Sequence, residues 1–360
     1  MLARPFTKSG RGGARLTRRR FLVAGSALAG AVFGAPSAGW AQTGSSGFRD
    51  TALAGWARRI RAIRDRGLLP IIDLQATYIE GATNVARMIA AMDELGVAQI
   101  AFAAANAPTS APSLGLYLAH PEHFIPTTNS GEFPRWWKDP NAFVQGVERD
   151  LASGTYFFMG EHEFRHLPSP EQVKAGRSDR DITIPLDGPA GTALFALSER
   201  SGLAFQIHYE IEDALLPALE AMLARHPKAR VVWCHLAMIR NPSRANRYSP
   251  DYVASLIGQF PGLHFDLAVP PGDSIYRPTG ARHSTLYAQD GTVDEKWREV
   301  IEAHPERFLA SSDYRPPVEN EYPANMLRQR AILASLSEPT RQLVAYGNAW
   351  RLIAGTSWTY

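Results

Sequence analysis

The chain has one cysteine, Cys234, in 360 residues. No internal disulfide can form, so the fold must be held by its core alone. No low-complexity linker divides it, and "TGSSG" (Thr43 to Gly47) is the one flexible tract. No glycine-rich phosphate turn follows the first apolar strand, which argues against a doubly wound nucleotide-binding sheet. A basic excess is also missing from most of the chain. The formal net charge is +3, but residues 1–41 hold seven basic residues (Arg4, Lys8, Arg11, Arg15, Arg18, Arg19, Arg20) and no acidic ones. Short of those seven charges the remainder is net −4, which leaves no basic footprint for nucleic acid.

The amino-terminal apolar run, Phe21 to Ala35, is too short and too rich in Gly and Ala for a membrane span, which needs ~20 residues. Basic stretch, apolar run and the small-residue site Gly39-Trp40-Ala41 have the anatomy of a secretory leader cleaved after Ala41. Within it "TRRRFL" (Thr17 to Leu22) resembles a twin-arginine export signal with the pair Arg18-Arg19. The expected organisation is a leader over 1–41, a flexible lead-in over 42–50 and one domain over 51–360. The expected location is periplasmic or secreted, with no stable membrane span after cleavage.

About 320 residues then remain, a normal size for an α/β barrel. A helix tail, one residue, a proline and an apolar strand recur in "AHPEHFIP" (119–126), "RHPKARVVW" (225–233), "QFPGLHFDL" (259–267) and "AHPERFLAS" (303–311). Proline stops each helix and pushes the residue before it out of helical angles. His120, His226 and His304 belong to this signal and need no further role. Eight apolar runs read as strands: 69–75, 97–104, 123–128, 155–161, 203–209, 230–236, 263–269 and 307–313. They are continuous rather than alternating, as in parallel strands covered on both faces. Helical patterns such as Gly81 to Leu95, Ile211 to Arg225 and Pro250 to Phe260 lie between them. Helix-to-strand links are tight. Strand-to-helix links are long at 162–171, 270–292 and 314–322, and they carry polar and aromatic residues. This asymmetry predicts a (β/α)8 TIM barrel with its active site at the strand C-termini.

Four of the strand candidates end in chemically useful groups: Glu161, His208, His235 and Asp313. Imidazole and carboxylate are common ligands of zinc and similar divalent ions. Read singly, each has a structural explanation, such as a helix cap for Asp313 or an ion pair with Arg165 for Glu161. Four together point to one shared site. Cys234 points away from His235 and reads as a small apolar side chain. His162 and His166 read as solvated loop residues, and Trp136-Trp137 as either core or a lid over the mouth.

The segments "PIIDLQATY", "AFQIHYE", "VVWCHLA", "RFLASSDYRPP" and "VAYGNAWRLI" resemble, in order, the amidohydrolase superfamily in its amidohydrolase-related (family 2) branch. The resemblance implies a metal position held by two strand-one histidines and the strand-eight Asp, and a second held by residues of strands four, five and six. Gln75 and Thr77 stand where the strand-one pair belongs, so the first position is degenerate. Glu161, His208 and His235 keep the second. The resulting expectation is one divalent metal, zinc first, with manganese or no metal as alternatives. Three protein ligands leave room for a water, with Asp313 as general base and His235 also catalytic. Gln75, Arg165, Arg240 and Arg315 are the candidate contacts for a small-molecule, anionic substrate. The expected activity is hydrolysis of an ester, lactone, amide or similar carbonyl compound. The competing readings are an inactive periplasmic ligand- or protein-binding barrel and a metal-free lyase.

Overall fold

The computed structural model describes residues 46–317 and 321–359. The leader over 1–41 and the first residues of the lead-in lie outside the described residues. Residues 46–50 depart from the flexible lead-in expected there. They form the first turns of helix α1, Ser46–Asp65, which buries Trp56, Ile60 and Ile63 against the rest of the chain.

The parallel strands of the barrel are β1 (Ile71–Tyr78), β2 (Val97–Ala104), β3 (Glu161–His166), β5 (Ala204–Tyr209), β6 (Arg230–Trp233), β7 (Leu263–Asp266) and β10 (Phe308–Leu309). Ladders join β1 to β2, β3 to β5, β5 to β6, β6 to β7 and β7 to β10. The three remaining gaps are bridged by isolated backbone hydrogen bonds. Ile100 N donates to His123 O, and Ile125 N donates to Ile100 O, both at 2.9 Å. Phe157 N donates to Pro126 O at 3.0 Å, and Thr128 N to Phe158 O at 3.1 Å. Thr77 N donates to Tyr314 O at 2.8 Å and closes the ring. Eight parallel staves therefore form a (β/α)8 barrel, the architecture expected from the run of apolar segments.

Two staves differ from the sequence reading. The stretch 123–128 makes isolated bridges instead of a regular strand, because Pro126 has no N–H to give the ladder. The fourth stave does not end at Glu161; it continues as β3 to His166. Gly131 pairs with its near side: Gly131 N donates to Glu161 O at 2.7 Å, and Gly131 O accepts from Glu163 N at 2.9 Å. The short antiparallel strand β4, Ile182–Thr183, pairs with its far end. These partners turn what reads as a polar loop into strand. Arg165 is accordingly on a strand, and His162 and His166 are buried rather than solvated.

Helices α2 (Val85–Leu95), α3 (Ala111–Ala119), α4 (Arg135–Lys138), α5 (Pro140–Leu151), α6 (Pro170–Lys174), α7 (Pro189–Ser201), α8 (Leu216–Arg225), α9 (Pro250–Gln259), α10 (Glu295–Ala303), α11 (Glu321–Ala334), α12 (Glu338–Gln342) and α13 (Asn348–Ala354) follow in chain order. Helices α1, α2 and α3 pack on β2, α7 on β5 and β6, α9 on β7, and α13 on β1 and β10. The proline stops hold: α3, α8, α9 and α10 end on His120, His226, Phe260 and His304, each followed by proline. The N-termini of α9 and α10 are fixed by side chains, where Ser249 accepts from Tyr252 N and Asp294 from Trp297 N. Gly96, at φ 66°, ends α2 and lets the next residue begin β2. The long link 270–292 contains a small hairpin, β8 (Ile275–Tyr276) with β9 (Ala281–Arg282). Trp136 is core, while Trp137 is exposed. Among the described residues no helix is long and apolar enough to cross a membrane.

Candidate metal centre

Glu161 enters the site from the start of β3, His208 from β5, and His235 from the turn after β6. Gly160 sets the height of Glu161. A Cβ there would stand 2.8 Å from Thr128 O, so only glycine lets the fourth stave lie this close to the third. His235 and Asp313 both adopt left-handed backbone, at φ 65° and 53°, which costs a non-glycine residue about 1 kcal/mol or more. Two buried aspartates hold these turns. Asp266 accepts from His235 N at 2.8 Å and Ala268 N at 3.1 Å. Asp73 accepts from Ser312 N at 3.0 Å and Gln75 N at 3.1 Å. Each aspartate thus ties the end of its own stave to a neighbouring turn that carries a site residue or its immediate neighbour. Burial pushes Asp73 up to about 7 and Asp266 to about 6.

Among the described residues, Glu161, His208 and His235 form a group whose ligand atoms all lie within 4.8 Å of one another. Glu161 Oε1 is 2.9 Å from His208 Nδ1 and 3.5 Å from His235 Nε2, and the two ring nitrogens are 3.1 Å apart. Ligands at 2.0–2.1 Å from a tetrahedral zinc-sized ion stand about 3.3 Å from each other. The donor set and its spacing fit such an ion. The outward ring nitrogens are already committed. His235 Nδ1 donates to Ala268 O at 2.8 Å, and His208 Nε2 lies 3.2 Å from Glu210 Oε1. Metal-binding histidines are oriented in this way, with one nitrogen tied to a carbonyl or carboxylate and the other turned inward.

The electrostatics follow from this crowding. Burial raises the Glu161 carboxyl, but hydrogen bonds from His208 and His235 outweigh it and hold the group well below its usual range. Burial lowers both imidazoles; for His208 the contacts with Glu161 and Glu210 prevail and raise it. For His235 the charge of Asp313 and the contact with Glu161 raise it to about 10. Glu210 is buried, yet Arg240 and His208 hold its carboxyl far below the ordinary carboxylate range. Asp313 opens to solvent on one side and is enclosed by protein on the other. That enclosure raises its carboxyl; His235 works against the rise and Glu161 adds to it.

The other sequence candidates separate clearly. Gln75 reaches the centre, with Nε2 3.4 Å from His235 Nε2. Arg165 does not face a substrate. It is occupied by Glu212 at 2.7 Å and Asp181 at 2.5 Å, and by the carbonyls of His166 and Ile182. Arg240 pairs with Glu210 and donates to Leu167 O at 2.5 Å, so it supports the carboxylate behind His208 instead of contacting substrate. Arg315 pairs with Glu132 at 2.5 Å, but 46% of its side chain stays accessible, against 8% and 7% for Arg165 and Arg240. Sequence reasoning missed Glu210 and Asp266. Glu210 had a signal: it is two residues after His208, the spacing that returns a side chain to the same face of a strand.

A closed eight-stave barrel carrying imidazole and carboxylate ligands at its mouth is the frame of a barrel enzyme. The chain belongs to the amidohydrolase family, whose Amidohydrolase model matches residues 82–354. Strand β1, with Gln75 and Thr77, precedes the matched segment. No curated protein matches the chain. Among solved structures, a 2,6-dihydroxybenzoate decarboxylase complexed with 2,6-dihydroxybenzoate is similar at 14% identity, over 80% of this chain and 100% of that chain, with a TM-score of 0.50. A 2,6-dihydroxybenzoate decarboxylase from Rhizobium is similar at 13% identity, over 80% of this chain and 99% of that chain, with a TM-score of 0.48. An amidohydrolase from Burkholderia multivorans with bound zinc is similar at 14% identity, over 79% and 99%, with a TM-score of 0.45. The first of these likenesses is one of fold alone.

Proposed function

We propose that this chain is an exported, metal-dependent hydrolase of an ester, lactone, amide or similar carbonyl compound. The observation that carries the reading is the convergence of Glu161 Oε1, His208 Nδ1 and His235 Nε2 within 2.9–3.5 Å of one another, with both outward ring nitrogens held. Export is supported by the basic and apolar anatomy of residues 1–41.

Glu161, His208 and His235 would hold one divalent ion, with zinc suited to two imidazoles and a carboxylate. Such an ion, when bound, polarises a carbonyl oxygen and acidifies water. Asp313 is close enough to His235, Glu161 and His208 for their charges to move its pKa, and it faces solvent. Its carboxylate is the proton acceptor for an attacking water, and its raised pKa lets it return that proton to the leaving group. Glu210 and the Ala268 carbonyl keep the imidazoles from turning. Arg315 keeps an accessible guanidinium two residues from Asp313, placed to hold an anionic group on the substrate.

The test is a panel of esters, lactones and amides, with and without a carboxylate, assayed with the zinc-loaded wild type, Asp313→Asn and His208→Ala. Hydrolysis of at least one panel member by the wild type, lost in both variants, supports the reading. Equal rates in all three proteins contradict it.

A further inference from the structure

Gln75 brings unspent chemistry to the centre. Its side chain is buried, and its Oε1 accepts no hydrogen bond among the described residues. A buried amide oxygen without a partner costs about 1–3 kcal/mol, yet this one stands beside the site. Its Nε2 lies 3.4 Å from His235 Nε2. His235 Nδ1 donates to Ala268 O, so Nε2 is the ring atom turned toward both the centre and the Gln75 amide.

That contact cannot survive a bound cation. An ion held by His235 takes the lone pair, and the N–H group is left facing a positive charge. The two ends of an amide have nearly the same shape, so a half-turn exchanges them at little steric cost. The turn would place the unpartnered oxygen 3.4 Å from His235 Nε2, close to the separation of about 3.3 Å between two ligands of a tetrahedral zinc-sized ion. The backbone at Gln75 is fixed from both sides. Its N donates to Asp73 Oδ1 at 3.1 Å, and its O accepts from Ser312 Oγ at 3.2 Å. The amide therefore stays within reach while it turns.

We propose that Gln75 supplies a fourth protein ligand to the cation through its side-chain carbonyl oxygen, alongside Glu161, His208 and His235. This rests on the metal-site reading above and assigns Gln75 to the metal in place of the substrate contact expected from the sequence. A neutral amide oxygen is a weaker ligand than imidazole or carboxylate, so it adds affinity while leaving the net charge of the site unchanged.

The experiment uses the full chain as wild type, Gln75→Leu, Gln75→Glu and His208→Ala. Zinc dissociation constants are measured near neutral pH by competition with a chromophoric chelator. The visible absorption of the cobalt-substituted proteins is recorded alongside, since it reports the ligands themselves. Gln75→Leu should weaken zinc binding about 10-fold or more and alter the cobalt bands. Gln75→Glu should bind zinc more tightly than wild type. Unchanged affinity and an unchanged cobalt spectrum in Gln75→Leu would overturn the assignment while leaving the three-residue site intact. If Gln75→Leu does not fold, Gln75→Glu decides, and affinity no tighter than wild type with unchanged bands overturns the proposal. Zinc binding by wild type no stronger than by His208→Ala would remove the site itself, and this inference with it.

Discussion

Glu210 and His208 are joined at the side of the ring that faces away from the centre, with Glu210 Oε1 3.2 Å from His208 Nε2. This contact decides which ring nitrogen carries the proton and turns Nδ1 toward Glu161. Glu210 is held in turn by its pair with Arg240, and both side chains are buried. Replacing Glu210 by Gln should weaken zinc binding about 10–100-fold, the usual cost of losing a carboxylate behind a ligating histidine. It should also lower Tm, because an uncompensated buried arginine costs about 3–5 kcal/mol. Chelator competition and thermal unfolding measure the two effects separately.

Asp313 should matter to turnover and not to metal retention. Asp313→Asn keeps the shape of the side chain and removes the proton acceptor. For a substrate that the wild type hydrolyses, kcat should fall by about 10²–10⁴, with the bound metal unchanged by elemental analysis. Loss of metal in this variant would make Asp313 a ligand instead.

Metal affinity should rise with pH. His208 and His235 both hold protons more tightly in the fold than free imidazole does, His235 up to about 10. Those protons compete with the cation, so raising the pH removes the competition. The zinc dissociation constant should tighten by about tenfold per pH unit for each proton displaced. The same shift acts on the metal-free fold with its own sign. A raised folded pKa gives stability that is fully present below the unfolded value near 6.5 and is lost as pH climbs through about 10. A zinc dissociation constant that is flat with pH would contradict these protonation states.

Acid should destabilise the protein through histidines buried in the neutral form. His264 is pushed down to about 3 by burial and by Arg307, and burial pushes His162 and His283 to about 4. The stability they contribute is present above the unfolded pKa near 6.5 and is lost as pH falls through their folded values. For His264 alone the loss by about pH 5 is on the order of 2 kcal/mol. His264→Gln should flatten the fall in Tm between about pH 6.5 and 4, while leaving zinc affinity unchanged. An unaltered slope would remove His264 from the account.

The barrel was legible because its signals are local. Each proline after His120, His226, Phe260 and His304 stops a helix, and the apolar run 97–104 coincides with β2. Glu161, His208 and His235 stand out as polar residues that follow apolar runs, although Glu161 opens β3 and does not end it. What escaped depends on partners distant in sequence. The fourth stave runs on to His166 only because Gly131 and Ile182–Thr183 pair with it, and a polar "EHEFRH" does not announce that. Arg165 and Arg240 look like free loop charges until Glu212, Asp181 and Glu210 close on them. The left-handed turns at His235 and Asp313 depend on Asp266 and Asp73, which lie 31 and 239 residues from the backbone groups they hold.

The most direct measurement is the metal content of the purified full chain, wild type and His208→Ala, with Tm recorded before and after a chelator. The account expects about one divalent ion per wild-type chain, little or none in His208→Ala, and a Tm that drops on chelation and returns with zinc. Wild-type protein with no ion above background, and a Tm indifferent to both chelator and added zinc, would contradict it.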